Sequence, residues 1–125
     1  MAYTAQDVFD LTIGLMNDDA NNSPSFKTFF LPTLNTILGE TLEQENNLRS
    51  RDGMEELKTA PFLTDMKEEV PSPEELIRTV IPYGVGMILF LGDDEMERAT
   101  FFSTKYGENK DNASVAIYVG TEDVF

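Results

Sequence analysis

Histidine, cysteine and tryptophan are all missing from this 125-residue chain. Without cysteine there are no disulfides, no thiolate nucleophile and no cysteine zinc site; without histidine the commonest general base and metal ligand is gone. Any catalysis would have to run on carboxylates, Lys, Tyr, Ser and Thr. Positive charge is scarce too, with 9 Lys and Arg against 23 Asp and Glu, a formal net charge of −14. That balance disfavours gripping nucleic-acid phosphates or anionic lipid, so the chain either avoids DNA or lets it pass without sticking. Long apolar runs are lacking as well. The longest, Val80 to Leu91, is interrupted by Pro82, Gly84 and Gly86 and falls short of the roughly 20 residues a bilayer span needs. The stretch Met1 to Asp7 has no basic region and no signal-like apolar segment, which predicts a soluble protein made in the cytoplasm, with no membrane partner.

What is present is helical pattern. The length fits one domain able to bury a core without metals or disulfides. Thr4 with Asp7 three residues later predicts a helix start, followed by Val8, Leu11 and Leu15 at helical spacing and an end near Asn17. Ser23-Pro24 reads as an N-cap with proline in the first helical position, opening a second helix to about Arg49. On it Phe30, Leu31, Leu34, Ile37, Leu38, Leu42 and Leu48 share an arc of about 140°. Phe29 and Pro32 fall on the opposite, polar side, with Glu40 and Glu43. Glu45 and Arg49 stand in the favourable order for an ion pair that either closes the end of the core or registers a neighbouring subunit.

Asp52-Gly53 marks a turn, and residues 54–71 read as a polar connector with only Met54, Leu57, Phe62, Leu63, Met66 and Val70 to anchor it and a short helix at about Met54 to Lys58. Connectors of this length are uncommon in compact domains and tend to be functional or ordered by a partner. Ser72-Pro73-Glu74-Glu75 predicts a capped start for a third helix whose apolar residues, to Leu91, point almost all round; it is either a central core helix or one partly covered by another subunit. Pro32 and Pro82 both read as prolines in helix interiors, each costing roughly 3 kcal/mol unless packing compensates. Gly92 is the expected end of the third helix. Asp94 with Glu97 then caps a fourth, striped by Met96, Ala99, Phe102 and Tyr106 and closed by Gly107. After the polar break Glu108 to Asn112, Val115, Ile117 and Val119 alternate with Ala116 and Tyr118, predicting one strand with nothing in the chain to pair with. The expected fold class is therefore all-α: a bundle of about four helices over residues 1–112, with an extended tail over 113–125. The expected core is Leu11, Leu34, Ile37, Leu38, Leu42, Leu76, Ile77, Val80, Ile88, Leu91, Ala99 and Phe102.

No motif carries chemistry. Asn17 to Asn22 is rich in oxygen ligands, but the sixth position of a calcium loop starting there is Asn22 or Pro24 instead of Gly, and the twelfth is Thr28 or Phe30 instead of Glu. Gly84-Val85-Gly86 lacks the third glycine and the preceding strand of a dinucleotide site. The carboxylate pairs Glu55-Glu56, Glu68-Glu69, Glu74-Glu75 and Asp93-Asp94 lie at caps and in the connector, where solvated surface is the expected role. The sequon at Asn112 is expected to be inert without a secretory signal. The expectation is no enzyme, no metal and no cofactor.

The order Leu31-Pro32-x-Leu34-Asn35, Glu45-x-x-Leu48-Arg49, Pro82-Tyr83-Gly84 and Asp93-Asp94-Glu95, closed by Phe101-Phe102 and Tyr106, resembles the head-tail connector (adaptor) proteins of tailed phages over about residues 4–107. The resemblance implies an all-helical subunit of a ring, twelvefold in that family. Such a ring sits beneath the portal in the virion neck, assembles in the host cytoplasm and passes DNA without binding it specifically to a downstream neck or tail protein. Partner contacts are then expected at Phe29, Pro32, Val115, Ile117, Tyr118, Val119 and Phe125, the tail adding as a strand to another chain or else folding back on its own helices. Glu40, Glu43, Glu68 and Glu69 are the channel-facing candidates. A stopper or tail-completion protein shares the same resemblance. The rival class is an acidic DNA mimic that occupies a DNA-binding enzyme, and a carboxylate-only hydrolase is a third.

Overall fold

Thr4 starts the first helix as its side chain predicts. Its hydroxyl accepts the Asp7 N–H, the Asp7 carboxylate accepts the Thr4 N–H, and the two orphan donors of the first turn are satisfied reciprocally. The computed structural model describes residues 2–16 and 24–122. Among these the order is β1 (Tyr3–Thr4), α1 (Ala5–Leu15), α2 (Pro24–Glu40), α3 (Leu42–Arg51), β2 (Glu69–Val70), α4 (Glu74–Thr79), α5 (Ile81–Gly92) and α6 (Met96–Glu122). The chain is a small all-α bundle with one short antiparallel pairing, Tyr3 opposite Val70 and Thr4 opposite Glu69.

α5 lies at the centre, packed against α1, α2, α4 and α6. Ile81, Val85, Leu89 and Phe90 on it are buried, Tyr83, Met87 and Ile88 are half-buried, and Leu91 is exposed. Two glycines let α6 approach it closely. A Cβ at Gly86 would stand 2.5 Å from the Phe102 ring, and one at Gly84 would stand 2.8 Å from Tyr106 Cε1 and 2.9 Å from Ile37 Cδ1. Phe102 fills the space so opened and meets Tyr83 and Phe90 edge-on, at ring separations of 5.2 and 5.1 Å. By length and composition alone the 19-residue stretch Glu74–Gly92 would suffice to cross a membrane, contrary to the sequence expectation. A buried core helix meets the same measure, and this stretch is broken at Val80.

Both long helices are divided. The second breaks at Thr41, whose hydroxyl bonds back to the Ile37 carbonyl at 2.9 Å, a contact that bends helices, two residues after the weak helix former Gly39. The third breaks at Val80. Pro82 cannot donate to the preceding turn and would clash with it, so the chain restarts there and the proline sits in the first turn of α5 instead of a helix interior. Pro32 does lie inside α2, as expected. α5 ends at Gly92, as expected; in the turn beyond it Asp94 takes the left-handed conformation, φ 57°, while Glu95 and Asp94 donate to the Phe90 and Leu91 carbonyls respectively. Asp94 therefore closes α5 and does not cap α6.

Other expectations are corrected. No helix forms over Met54 to Lys58. α6 runs through Gly107, the polar stretch and the expected strand, so the boundary at 112/113 falls inside a helix and residues 113–122 are helical. Extending a helix already nucleated costs little, and a short alternating apolar run does not by itself select strand. Asn109 helps to hold the polar stretch down by donating to the Thr79 carbonyl at 2.6 Å. In the core, Leu34, Ile37, Leu38, Leu76, Ile77, Val80, Ala99 and Phe102 are buried, whereas Leu11, Leu42 and Ile88 are half-buried and Leu91 is 45% exposed. α1 turns a slightly different face inward: Phe9 meets Phe30 edge-on at 5.2 Å, and Leu15 is left outside. The oxygen-rich stretch 17–22 and the expected cap Ser23 lie outside the described residues.

Candidate partner-docking surface

The connector is fastened to the bundle by two asparagines. Asn35 on α2 donates to the Leu63 carbonyl at 2.9 Å and accepts the Leu63 N–H at 2.8 Å. Asn46 on α3 does the same to Leu57, at 2.9 and 2.7 Å. Each carboxamide pairs with the backbone as a neighbouring strand would, so the N–H and carbonyl of Leu57 and of Leu63 are satisfied without helix or sheet. The two asparagines are eleven residues apart in the sequence, about three turns of helical spacing, on either side of the break at Thr41. That spacing is a signal in the sequence, although nothing there shows what they hold.

Further along, Glu45 is fully buried. Its Oε2 lies 2.9 Å from Arg49 Nε and its Oε1 accepts the Ser72 hydroxyl at 2.9 Å, while Arg49 Nη2 donates to the Pro71 carbonyl at 3.2 Å. The pair closes the end of the core within one chain, which resolves the alternative left open by the spacing. It also takes Ser72 away from the capping role its position predicts: α4 opens at Pro73 with no side-chain cap.

Held in this way, the connector frames one side of α2. Phe62 stands 74% exposed beside a shallow groove of about 560 Å³ lined by Leu31, Pro32, Asn35, Thr36, Leu63 and Thr64. None of these residues is charged. A second groove, about 300 Å³, lies between α2 and α5, lined by Phe26, Phe29, Ile88, Leu89 and Asp93 among others. Of the two expected contact residues on α2, Phe29, 59% exposed, lines this second groove and the exposed Pro32 lines the first. Sequence reasoning missed Phe62 and Phe101 as exposed apolar side chains, and Met96, expected on the apolar stripe with Ala99, Phe102 and Tyr106, is 59% exposed because it stands at the first residue of α6.

The acidic candidates are dispersed. Glu40, at the end of α2, accepts the Tyr106 hydroxyl at 2.8 Å. Glu43 is exposed on α3 and Glu69 exposed on β2. Glu68 is half-buried and accepts both the N–H and the hydroxyl of Thr64 at 2.8 Å, contacts that hold its carboxyl below the usual range. Among the described residues no three carboxylates converge to hold a metal. Val115, Ile117, Tyr118 and Val119 lie on the last turns of α6, and Phe125 lies outside the described residues.

Burial, reinforced by the bond to Glu40, raises the Tyr106 hydroxyl above its ordinary 10.0. The folded state thus keeps this proton where the unfolded chain loses it, so stability falls as pH rises above 10. Thermal melting followed through that window should show the fall in the parent and a shallower one in Tyr106→Phe; identical slopes would remove Tyr106 as the cause.

No protein-family model, no curated protein and no solved structure matches this chain.

Proposed function

We propose that this chain is a structural subunit of a tailed-phage head-tail connector, closing into a ring beneath the portal and continuing the DNA channel toward the tail. The observation that carries this reading is the uncharged, mainly apolar groove beside the exposed Phe62, lined by Leu31, Pro32 and Leu63. Large exposed apolar features mark protein contacts. A neighbour of the same acidic chain meets no like charge in that lining, which favours a copy of the subunit as its occupant. The sequence resemblance over residues 4–107 supports the same assignment. A net charge of −14 suits a passage through which DNA slides, since phosphates are repelled instead of held. The segment from residue 113 onward, with Val115, Ile117, Tyr118, Val119 and Phe125, serves the portal or the next neck protein. No catalytic step, metal or cofactor belongs to this role.

The test is the mass of the protein in solution, alone and co-expressed with portal. The parent is expected to form a ring, by itself or on the portal. Phe62→Glu, a change at an exposed site, should leave melting unchanged and abolish assembly. Glu43→Lys and Glu69→Lys probe the channel best, because Glu40 and Glu68 also hold Tyr106 and Thr64. Rings carrying them should bind DNA in a salt-dependent way that parent rings do not. A parent that stays monomeric with and without portal overturns the reading.

A further inference from the structure

The groove between the start of α2 and the end of α5 differs in kind from the one beside Phe62. Its walls are Phe26, Phe29, Ile88 and Leu89, yet it is acidic where α5 ends: Asp93 lines it, and Asp94 and Glu95 follow along the chain, all exposed. No basic residue lines it. Lys27 is exposed on α2 outside the lining, and Arg98 is held over the Phe90 ring at 5.7 Å. We infer that this groove docks a short segment of another protein that presents an apolar anchor flanked by Lys or Arg.

The apolar walls supply burial for the anchor, and the acidic residues supply orientation and a faster encounter with a cationic partner. A second copy of this chain is a poorer occupant here, because it brings 23 acidic residues and only 9 basic ones to an already acidic rim. Docking of this kind goes beyond ring formation and does not require it.

A variant that plugs the groove without changing charge is available at Gly92. It lines the groove, and a Cβ built there meets nothing within 4 Å, so a side chain enters open space. The probe is a fluorescein-labelled amphipathic Leu–Lys helix peptide, compared with its Leu–Glu counterpart by anisotropy at physiological salt. The parent should bind the Leu–Lys peptide saturably and the Leu–Glu peptide not at all. Gly92→Phe, shown by melting to be folded, should weaken binding about tenfold or more. The triple variant Asp93→Asn, Asp94→Asn, Glu95→Gln should weaken it and flatten its salt dependence. Equal binding to parent and Gly92→Phe would mean that the peptide only senses net charge, and the inference fails. It fails equally if neither peptide binds, if both bind alike, or if Gly92→Phe instead breaks association between copies of this chain.

Discussion

Adding one methyl group at Gly86 should lower the stability of this chain by about 1–3 kcal/mol, the usual cost of overpacking a well-filled interior. A Cβ there would stand 2.5 Å from two atoms of the Phe102 ring, a distance that cannot be occupied without movement. The ring has little room to yield, since Tyr83 and Phe90 meet it edge-on at 5.2 and 5.1 Å. Gly86→Ala also gains about 0.5–1 kcal/mol of helix preference, so a net loss isolates the steric effect. Chemical denaturation measures it. In a Phe102→Leu background the same substitution should cost less, because the two positions share one contact. An unchanged melting temperature for Gly86→Ala would show that α6 does not approach α5 as closely as described.

Arg49→Met should be costlier still, about 3–5 kcal/mol, because it leaves the Glu45 carboxylate buried without its counter-charge. Glu45 has no exposure, and Arg49 has 11%. An exposed pair offers the control. Arg51 bonds Glu75 through two contacts of 2.7 and 3.1 Å and links α3 to α4, but both partners are well exposed, and Arg51→Met should cost about 0–1 kcal/mol. Replacing both members of the buried pair, Glu45→Leu with Arg49→Met, should recover much of the loss, leaving the buried Ser72 hydroxyl and the more exposed Pro71 carbonyl without their partners. Equal urea midpoints for Arg49→Met and Arg51→Met would refute the burial of the Glu45 pair.

Features decided within a few residues were legible in the sequence. The Thr4–Asp7 box, Pro24 at the head of α2, the Glu45–Arg49 pair, the outward position of Phe29 and Pro32 and the all-helical class all rest on spacing along one helix, and the structure agrees with each. Features decided by distant partners were not. Ser72 reads as a cap because capping is its local option, but Glu45, 27 residues earlier in the chain, takes its hydroxyl. The connector looks weakly anchored because its few apolar anchors, of which Leu63 and Val70 are buried, are supplemented by asparagine side chains whose partners lie far along the chain. The run at 115–119 alternates, yet an alternation of five residues is too short to outweigh the helix that precedes it. The face of α1 is set by where Phe9 finds Phe30, which no pattern within 11 residues contains.

The two asparagine clamps divide the labour within the connector. Leu57 and Leu63 are fixed by paired bonds, while residues 58–62 between them carry no backbone bond to the bundle among those described and end at the exposed Phe62. That interval behaves as a cassette. Its ends are held at set points on α2 and α3, so its length and sequence are free to change at small entropic cost, each doubling of a loop adding only about 0.6 kcal/mol. Variation in such a chain would therefore gather at 58–62, altering what the surface recognises without disturbing the helices that present it. The same interval is where an engineer could graft a foreign epitope.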